Sequence, residues 1–212
     1  MAAIVLAGGR SERMGVIKAT LPWRGKRLVD HMVEMLRRVS SRVLVVTAEA
    51  ELDLPEPAMA VVDELPEAGP LAALLTGLRR AGAGVHFACG VDMPLLREEV
   101  VGLLLSRATD YDVVTPETAD GLHPLCAAYS AKCLAAIEWA LGRGESRLQS
   151  FFPQVQVRLV PEAELRAIDP HLDSLVNINT WDEYRQALNR DRELPPPTDR
   201  WLRDSDGPVA DR

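Results

Sequence analysis

Short apolar runs alternate along the chain with segments in which apolar residues recur every three or four positions. The runs are typical of strands buried on both faces, and the second pattern is typical of amphipathic helices. The predicted strands span residues 2–7, 42–47, 58–62, 85–91, 112–115, 124–130 and 155–160, and the predicted helices span 28–39, 70–81, 98–108, 131–141 and 180–189. This alternation predicts an α/β fold, a three-layer Rossmann-like single domain with a mostly parallel central sheet.

The composition changes near the C-terminus, where residues 190–212 are rich in Pro, Asp and Arg. Such a segment buries too little apolar surface to offset the entropy lost on ordering. We therefore expect one folded domain at residues 1–189 and a disordered tail at residues 190–212.

The 212 residues are 47% hydrophobic and 26% charged, which is the balance of a globular domain and not of a disordered chain. The formal net charge of -7 argues against general binding to nucleic acid or anionic membrane. The three Cys residues show no CxxC spacing and are expected to be buried thiols. Neither an apolar window of 18 residues nor a signal peptide is evident, so we expect a cytoplasmic protein.

The segment LAGGRSERMGVIK follows the first predicted strand, at the strand end where ligands bind in open α/β sheets. Its glycines fit neither a Walker A loop nor the G-x-G-x-x-G dinucleotide fingerprint. Six basic residues and one acidic residue give positions 10–27 a local charge of +5. Glycines let backbone N–H groups approach a phosphate closely, and cationic side chains bind its oxygens. Candidate phosphate contacts are therefore Gly8, Gly9, Arg13 and Lys18. The alternative is a solvated basic loop.

The same segment, extended to LAGGRSERMGVIKATL, resembles the nucleotidyltransferase signature L-A-G-G-x-S-x-R-M-G-x-x-K-A in the form found in molybdenum cofactor guanylyltransferases. The segments VVDELPEAGPLAAL, CGVDMPLL, GLHPLCAAYS and VNINT continue the resemblance over residues 3–190. In that family the loop wraps the nucleotide triphosphate. The resemblance implies that Leu6, Ala7 and Gly8 contact the base and ribose, and that Arg13 and Lys18 are catalytic residues on the phosphates.

Asp92 follows a predicted buried strand and precedes Met-Pro, so its carboxylate is expected at the same crevice as the loop. Nucleotidyl transfer requires neutralised charge on the bridging oxygens, and Mg²⁺ held by one or two carboxylates supplies this. The resemblance makes Asp92 the metal ligand and a catalytic residue, with Mg²⁺ as cofactor; a cap of the following turn is the alternative. It also assigns Asp63 and Gly69 to nucleotide binding, with a solvated loop carboxylate as the alternative for Asp63.

The acceptor side is expected near three further residues. Asn177 and Asn179 alternate, so both amides face one side of an extended segment and suit hydrogen bonds to phosphate or metal-bound water. The resemblance places them near the metal or the pterin phosphate; the alternative is that Asn179 only leads into the helix that begins near Thr180. His123 is a candidate for the acceptor pocket, either as a contact or as part of its wall.

Together with the resemblance, these features predict an enzyme that transfers GMP from Mg-GTP to the terminal phosphate of molybdopterin, the molybdenum cofactor, and releases pyrophosphate. The alternatives are use of CTP or another small phosphate acceptor, and a non-catalytic protein that binds GTP or the cofactor. The departures Ile17 and Glu67 from the family pattern favour the latter. We expect a monomer or weak oligomer without nucleic acid or membrane partners, in transient contact with proteins that deliver the cofactor.

Overall fold

The computed structural model describes residues 1–8, 10–11, 14–48 and 52–191. Two predicted site residues, Gly9 and Arg13, lie outside the described residues, and so does the predicted tail from residue 192 onward.

Strands and helices alternate along the described chain, as the apolar pattern predicts. The strands are β1 (Ala3–Leu6), β2 (Arg10–Ser11), β3 (Val16–Ile17), β4 (Pro22–Trp23), β5 (Lys26–Arg27), β6 (Val43–Thr47), β7 (Met59–Val62), β8 (Val85–Gly90), β9 (Val113–Thr118), β10 (Gly121–Leu122), β11 (Cys126–Ser130) and β12 (Val157–Pro161). The α-helices are α1 (Leu28–Leu36), α2 (Pro70–Ala81), α3 (Glu98–Ser106), α4 (Leu134–Gly142), α5 (Glu162–Arg166) and α6 (Trp181–Arg190).

The central sheet runs in the order β10-β9-β11-β8-β1-β6-β7, with β12 paired to β9. β1 pairs in parallel with both β6 and β8, and β7 continues the parallel arrangement at one edge. β11 is antiparallel to β8 and β9, and β10 is antiparallel to β9. The predicted α/β fold with a mostly parallel central sheet is therefore confirmed. Its parallel centre brings the carboxyl ends of β1 and β8 side by side, with Leu6 opposite Gly90.

Helices cover both faces of the sheet because the strand side chains alternate between them. Ala3 and Val5 of β1 belong to the apolar cluster that includes α1 and α3. Ile4 and Leu6 belong to the opposite cluster, which includes α2 and α4. At Gly77 of α2, an added Cβ would lie 2.6 Å from Ile4 Cγ2, so the helix approaches the central strand closely only because this residue is glycine.

A third apolar cluster connects the N-terminal loop to the last described helix. Trp23 of the β4–β5 hairpin is fully buried and packs edge-on against Tyr184 of α6, with ring centroids 6.0 Å apart. The Tyr184 hydroxyl also donates a hydrogen bond to the Pro22 carbonyl oxygen. This packing brings residues near 18 and residues near 179 to the same end of the sheet.

The structure contains short elements that the sequence prediction lacks, among them the β4–β5 hairpin, β10 and α5. The predicted loop after β1 contains the paired strands β2 and β3, which are too short to produce an apolar period. α1 ends at Leu36 and not at residue 39, because residues 37–39 form a turn that leads to Ser40, whose Oγ accepts a hydrogen bond from the Arg42 N–H. No helix in the described part of the chain has the length and apolar character needed to cross a membrane.

Candidate active site

Three polar side chains from distant parts of the sequence meet at the carboxyl end of the central strands. Lys18 Nζ lies 2.7 Å from Asp92 Oδ2 and 2.8 Å from Asn179 Oδ1. These pairs are separated by 74 and 161 residues along the chain. We call Lys18, Asp92 and Asn179 the charged cluster. We expect Lys18 of the loop and Asp92 at the strand end to face the same crevice, and the observed contact agrees with this. Their roles in binding and catalysis remain predictions.

Each member of the charged cluster is fixed by its backbone. Lys18 begins a 3₁₀ turn after β3, and its carbonyl oxygen accepts the Leu21 N–H at 3.1 Å. Asp92 follows β8, and its carbonyl oxygen accepts the Ile178 N–H at 2.9 Å. Since Ile178 is fully buried, this bond ties the segment that carries Asn179 to the strand end that carries Asp92.

Asn179 is positioned by the start of α6. Glu183 Oε2 accepts the Asn179 N–H at 2.7 Å, and Thr180 Oγ1 accepts the Glu183 N–H at 3.2 Å. The capping role of Thr180 and Glu183 follows from the T-x-x-E spacing. Glu183 also supports a residue of the charged cluster. The sequence does not predict this role, because it depends on the tertiary position of Asn179.

Gly90 is a second residue that the sequence reasoning missed. A Cβ added at Gly90 would lie 2.3 Å from Asp92 Oδ1, closer than any real Cβ contact. The Asp92 carboxylate therefore folds back over the Gly90 backbone, and only glycine leaves room for it. The signal in the sequence is a glycine two residues before a strand-end aspartate, which gains meaning only once the carboxylate orientation is known.

Three of the six basic residues at positions 10–27 form ion pairs away from the charged cluster. Arg24 forms an ion pair with Asp191, Lys26 with Glu34, and Arg27 with Asp30. These partners are acidic side chains of other elements and not members of the charged cluster. The expectation of a single cationic loop is thus corrected, because three of its cations are paired with carboxylates of this chain. Of the described side chains in this loop, Lys18 is the cation that contacts Asp92.

The residues predicted to contact the base and ribose lie beside the charged cluster at the end of β1. Ala7 N–H donates to the Val46 carbonyl oxygen, and the Leu6 carbonyl oxygen accepts the Val91 N–H. Leu6 and Ala7 are buried, whereas Gly8 is exposed, and no atom of the described residues lies within 4 Å of a Cβ added to it.

Asp63 and Gly69 have structural contacts of their own. Asp63 is buried, and its Oδ1 accepts hydrogen bonds from the Leu65 N–H at 3.1 Å and the Thr76 hydroxyl at 3.2 Å. The alternative of a solvated carboxylate is therefore wrong, because Asp63 fastens its loop to α2. Gly69 has φ +82°, which favours glycine. The expectation of free N–H groups at this helix start is not met in its first turn: Pro70 has no N–H, the Leu71 N–H donates to the Ser146 carbonyl oxygen at 3.3 Å, and the next two N–H groups donate to the Gly69 carbonyl oxygen.

A cavity of about 240 Å³ adjoins the charged cluster, and we call it the side cavity. Its polar lining includes His123, Arg147 and Asn177, and its apolar lining includes Met93 and Leu125. Met93 follows Asp92 directly, and Asn177 is two residues before Asn179. The structure thus brings His123 and Asn177, both predicted for the acceptor side, to one cavity next to the predicted metal ligand.

The polar groups of the side cavity differ in how they are satisfied. His123 Nε2 lies 2.8 Å from Thr118 Oγ1, and burial lowers the pKa of the His123 imidazole. Asn177 Oδ1 is buried and has no hydrogen-bond partner among the described residues. A buried carbonyl oxygen without a donor is unfavourable, so Asn177 Oδ1 is an unsatisfied acceptor beside the side cavity.

The donor set suits a divalent cation that also binds phosphate. Asp92 supplies a carboxylate and Asn179 an amide oxygen, both of which are hard oxygen ligands. Within residues 1–8, 10–11, 14–48 and 52–191, no group of three or more His, Cys, Asp or Glu side chains gathers to hold a metal ion by itself. One carboxylate with phosphate oxygens is the mode in which Mg²⁺ commonly binds to nucleotide sites.

Comparisons with known proteins agree with this geometry. The family model described as MobA-like NTP transferase domain matches residues 3–159. The molybdenum cofactor guanylyltransferase of Desulfosudis oleivorans is 35% identical over 187 residues, which cover 87% of this chain and 92% of that protein. The probable molybdenum cofactor guanylyltransferase of Methanosarcina mazei is 34% identical over 206 residues, which cover 90% of this chain and 91% of that protein.

A solved structure shares the fold. The crystal structure of molybdopterin-guanine dinucleotide biosynthesis protein A from Archaeoglobus fulgidus matches with a TM-score of 0.79 at 24% identity, and the match covers 92% of this chain and 100% of that one. The family match over most of the chain, the relatives above 30% identity and the assembled charged cluster lead to the same conclusion: the chain belongs to the MobA-like NTP transferase family and is a nucleotidyltransferase.

Proposed function

We propose that the protein transfers GMP from Mg-GTP to the terminal phosphate of molybdopterin, releasing pyrophosphate and forming the guanine dinucleotide cofactor. Two relatives of this chain are named as a molybdenum cofactor guanylyltransferase and a probable one, which supports both the nucleotide and the acceptor. The observation that carries the proposal is the contact of Lys18 with Asp92 and Asn179 beside a cavity lined by Asn177 and His123. It combines a phosphate-binding cation, a metal-binding carboxylate and an acceptor pocket at one strand edge.

The reaction needs alignment and charge neutralisation more than proton transfer. An oxygen of the acceptor phosphate forms a bond to the α-phosphorus of GTP, and the bond between that phosphorus and the bridging oxygen to the β-phosphate breaks. Pyrophosphate leaves with the electron pair. Since the attacking phosphate is already an anion, no general base and no covalent enzyme intermediate are required. The residues act by binding the charges that shift during this exchange.

Members of this family in general use a divalent metal ion, and we propose Mg²⁺ here. Asp92 and Asn179 would hold it, and it would neutralise negative charge on the phosphate oxygens. Lys18 would place its ammonium on the leaving phosphates, together with Arg13. We assign Leu6, Ala7, Gly8, Gly9, Asp63 and Gly69 to the nucleotide site.

The side cavity is the proposed acceptor site. Its mainly apolar wall suits the flat face of a fused heterocycle, and the unpartnered acceptor Asn177 Oδ1 would meet an N–H group at the edge of that heterocycle once the amide turns towards the cavity. His123 is held neutral by its burial and forms part of the wall. The cytoplasmic location, the monomeric or weakly oligomeric state and the contact with cofactor-delivering proteins remain predictions.

The test is pyrophosphate release with GTP, CTP and UTP, each measured with Mg²⁺ and molybdopterin. We expect release with GTP to exceed release with CTP and UTP by at least about a hundredfold, as sites that read a base by hydrogen bonds discriminate strongly. Faster release with CTP would replace the guanylyl assignment by a cytidylyl one. Tight GTP binding without release for any nucleotide would identify a non-catalytic binding protein.

A further inference from the structure

The Lys18 ammonium lies between the two oxygens that are assigned to the metal ion. Its Nζ is 2.7 Å from Asp92 Oδ2 and 2.8 Å from Asn179 Oδ1, and the Lys18 and Asp92 side chains are only 16% and 12% exposed. An ammonium group and a divalent cation prefer the same hard oxygen ligands. The lysine therefore contacts the atoms that a metal ion would have to bind.

Of the three members of the charged cluster, Lys18 has the freedom to leave. Asp92 is a short side chain whose carboxylate is folded against Gly90, and Asn179 is held by Glu183 and by the neighbouring Ile178 N–H. Lysine carries its charge on a flexible four-carbon chain with rotatable donors. A triphosphate near this strand end presents several negative oxygens, which attract the ammonium more strongly than one carboxylate and one amide.

We propose that Lys18 acts as a cation lock: without nucleotide its ammonium blocks Asp92 and Asn179, and a bound nucleoside triphosphate draws it away and opens these ligands to the divalent cation. The inference rests on the proposed function for the identity of the triphosphate. By thermodynamic linkage, the lock makes cation binding at Asp92 dependent on the triphosphate, and the cation in turn favours the released lysine.

The lock is tested by the affinity of the nucleotide-free protein for Mn²⁺, measured by the loss of the free-ion signal in electron paramagnetic resonance. Lys18→Met removes the ammonium and keeps a long unbranched side chain. We expect this variant to bind Mn²⁺ about tenfold or more tightly than the unaltered protein, since a competing cation has been removed. Equal or weaker binding by a folded Lys18→Met protein would overturn the proposal.

Two further variants separate the lock from a general change of charge. Lys26→Met removes a lysine whose partner is Glu34, so it changes the net charge equally without touching Asp92. We expect its Mn²⁺ affinity to be unchanged, and a gain equal to that of Lys18→Met would contradict the lock. Adding Asp92→Asn to Lys18→Met should abolish the gain, whereas a gain that persists would place the ion elsewhere.

The unaltered protein provides an independent measurement in case Lys18→Met does not fold. The chain contains three lysines, Lys18, Lys26 and Lys132, so selective ¹⁵N-lysine labelling gives few side-chain signals in nuclear magnetic resonance. We expect metal-free GTP to shift the Lys18 Nζ signal, and Mg²⁺ alone at millimolar concentration to leave it in place. A Lys18 signal that stays unchanged at saturating GTP, or that moves with Mg²⁺ alone, would disprove the lock.

These readouts do not depend on turnover. If pyrophosphate is never released but Lys18→Met still gains Mn²⁺ affinity, the lock stands and the proposed reaction falls. If GTP is used normally and Lys18→Met gains no affinity, the reaction stands and the lock falls.

Discussion

The charged cluster and the side cavity lie next to each other but satisfy their polar atoms in opposite ways. In the charged cluster, the Lys18 ammonium already has oxygen partners supplied by the protein. In the side cavity, Asn177 Oδ1 is buried without a partner among the described residues. A ligand at the charged cluster must therefore break contacts before it makes new ones, whereas a ligand in the side cavity needs only a turn of the Asn177 amide to supply the donor that Oδ1 lacks.

This difference predicts how substitutions separate activity from stability. Changes in the charged cluster should lower turnover because the same atoms bind the reacting groups. A change at Asn177 should weaken acceptor binding while leaving the fold as stable as before or more so. Substitutions of supporting residues outside both regions should lower turnover less. The loss should be larger for residues that contact a member of the charged cluster directly.

The largest effect is expected for Asp92→Asn, which keeps the shape of the side chain and removes its charge. Turnover should fall by about a thousandfold or more, because Asp92 is the one negatively charged ligand that the charged cluster offers the cation, and an amide in its place binds the cation more weakly than a carboxylate. Pyrophosphate release measures the loss, and urea unfolding should show a change within about 2 kcal/mol. Asp110→Asn, at an exposed carboxylate, is the matched control and should be neutral. Turnover within tenfold of normal for Asp92→Asn would exclude Asp92 as the metal ligand.

Gly90→Ala tests whether the orientation of the Asp92 carboxylate matters as much as its charge. The added methyl would lie 2.3 Å from Asp92 Oδ1, so the carboxylate must move. We expect about a hundredfold lower turnover, which is the effect of a displacement near 1 Å in a reacting group. Gly102→Ala on α3 meets no atom within 4 Å and should leave turnover normal. Normal turnover in Gly90→Ala would show that the carboxylate tolerates movement.

Asn177→Leu examines the opposite property, an unsatisfied atom in the side cavity. The free energy of unfolding should stay constant or rise by about 1 kcal/mol, because a buried acceptor without a partner is removed. The KM for the acceptor should rise about tenfold while the KM for GTP stays unchanged. Steady-state kinetics with each substrate varied, combined with urea unfolding, give both values. Lower stability with an unchanged acceptor KM would assign Asn177 a purely structural role.

A smaller effect is expected at Glu183, which holds the backbone of Asn179. Glu183→Ala should lower kcat about three- to tenfold and stability by about 1 kcal/mol, and Glu183→Gln should restore kcat because glutamine also completes a capping box. Asp182→Ala, in the same helical turn and with an 82% exposed side chain, is the control. If glutamine and alanine reduce kcat equally, the hydrogen bond to Asn179 does not position the cluster.

The smallest effect concerns pH. Burial lowers the pKa of His31, His86 and His123 below the ordinary value of 6.5, so the unfolded chain binds more protons than the folded one at mildly acidic pH. Their contribution to stability is complete above about pH 6.5 and is lost as the pH falls below it towards the folded pKa values. Urea unfolding at pH 7.5 and 5.5 should show the decrease, at most about 1.4 kcal/mol for each unit of pKa difference. His123→Gln should reduce the difference in the free energy of unfolding between the two pH values. An identical difference would mean that His123 titrates normally.

Much of the fold and part of the site follow from local patterns. Continuous apolar runs predict the central strands. Asp92 directly follows such a run, so its position is predicted at the carboxyl ends of the strands, where the N-terminal loop also lies. The buried Cys89 and Cys126 follow from the same runs. Periodicity and strand ends are properties of neighbouring residues, so a single sequence reveals them.

The remaining features depend on which distant residues meet. Arg24 pairs with Asp191, 167 residues away in the sequence. This ion pair neutralises one of the positive charges of the N-terminal loop, which the local charge of +5 does not reveal. The requirement for glycine at Gly90 depends on the rotamer of Asp92, and the unpartnered state of Asn177 depends on every element that lines the side cavity. No apolar period encodes such contacts.

A crystal structure of the protein soaked with Mg²⁺ and GTP tests directly whether the charged cluster binds the nucleotide and its metal ion. We expect a metal ion bound to an oxygen of Asp92, with Lys18 Nζ moved to within hydrogen-bond distance of a phosphate oxygen. A triphosphate bound on another surface, with Lys18 still paired to Asp92 and Asn179, would contradict it.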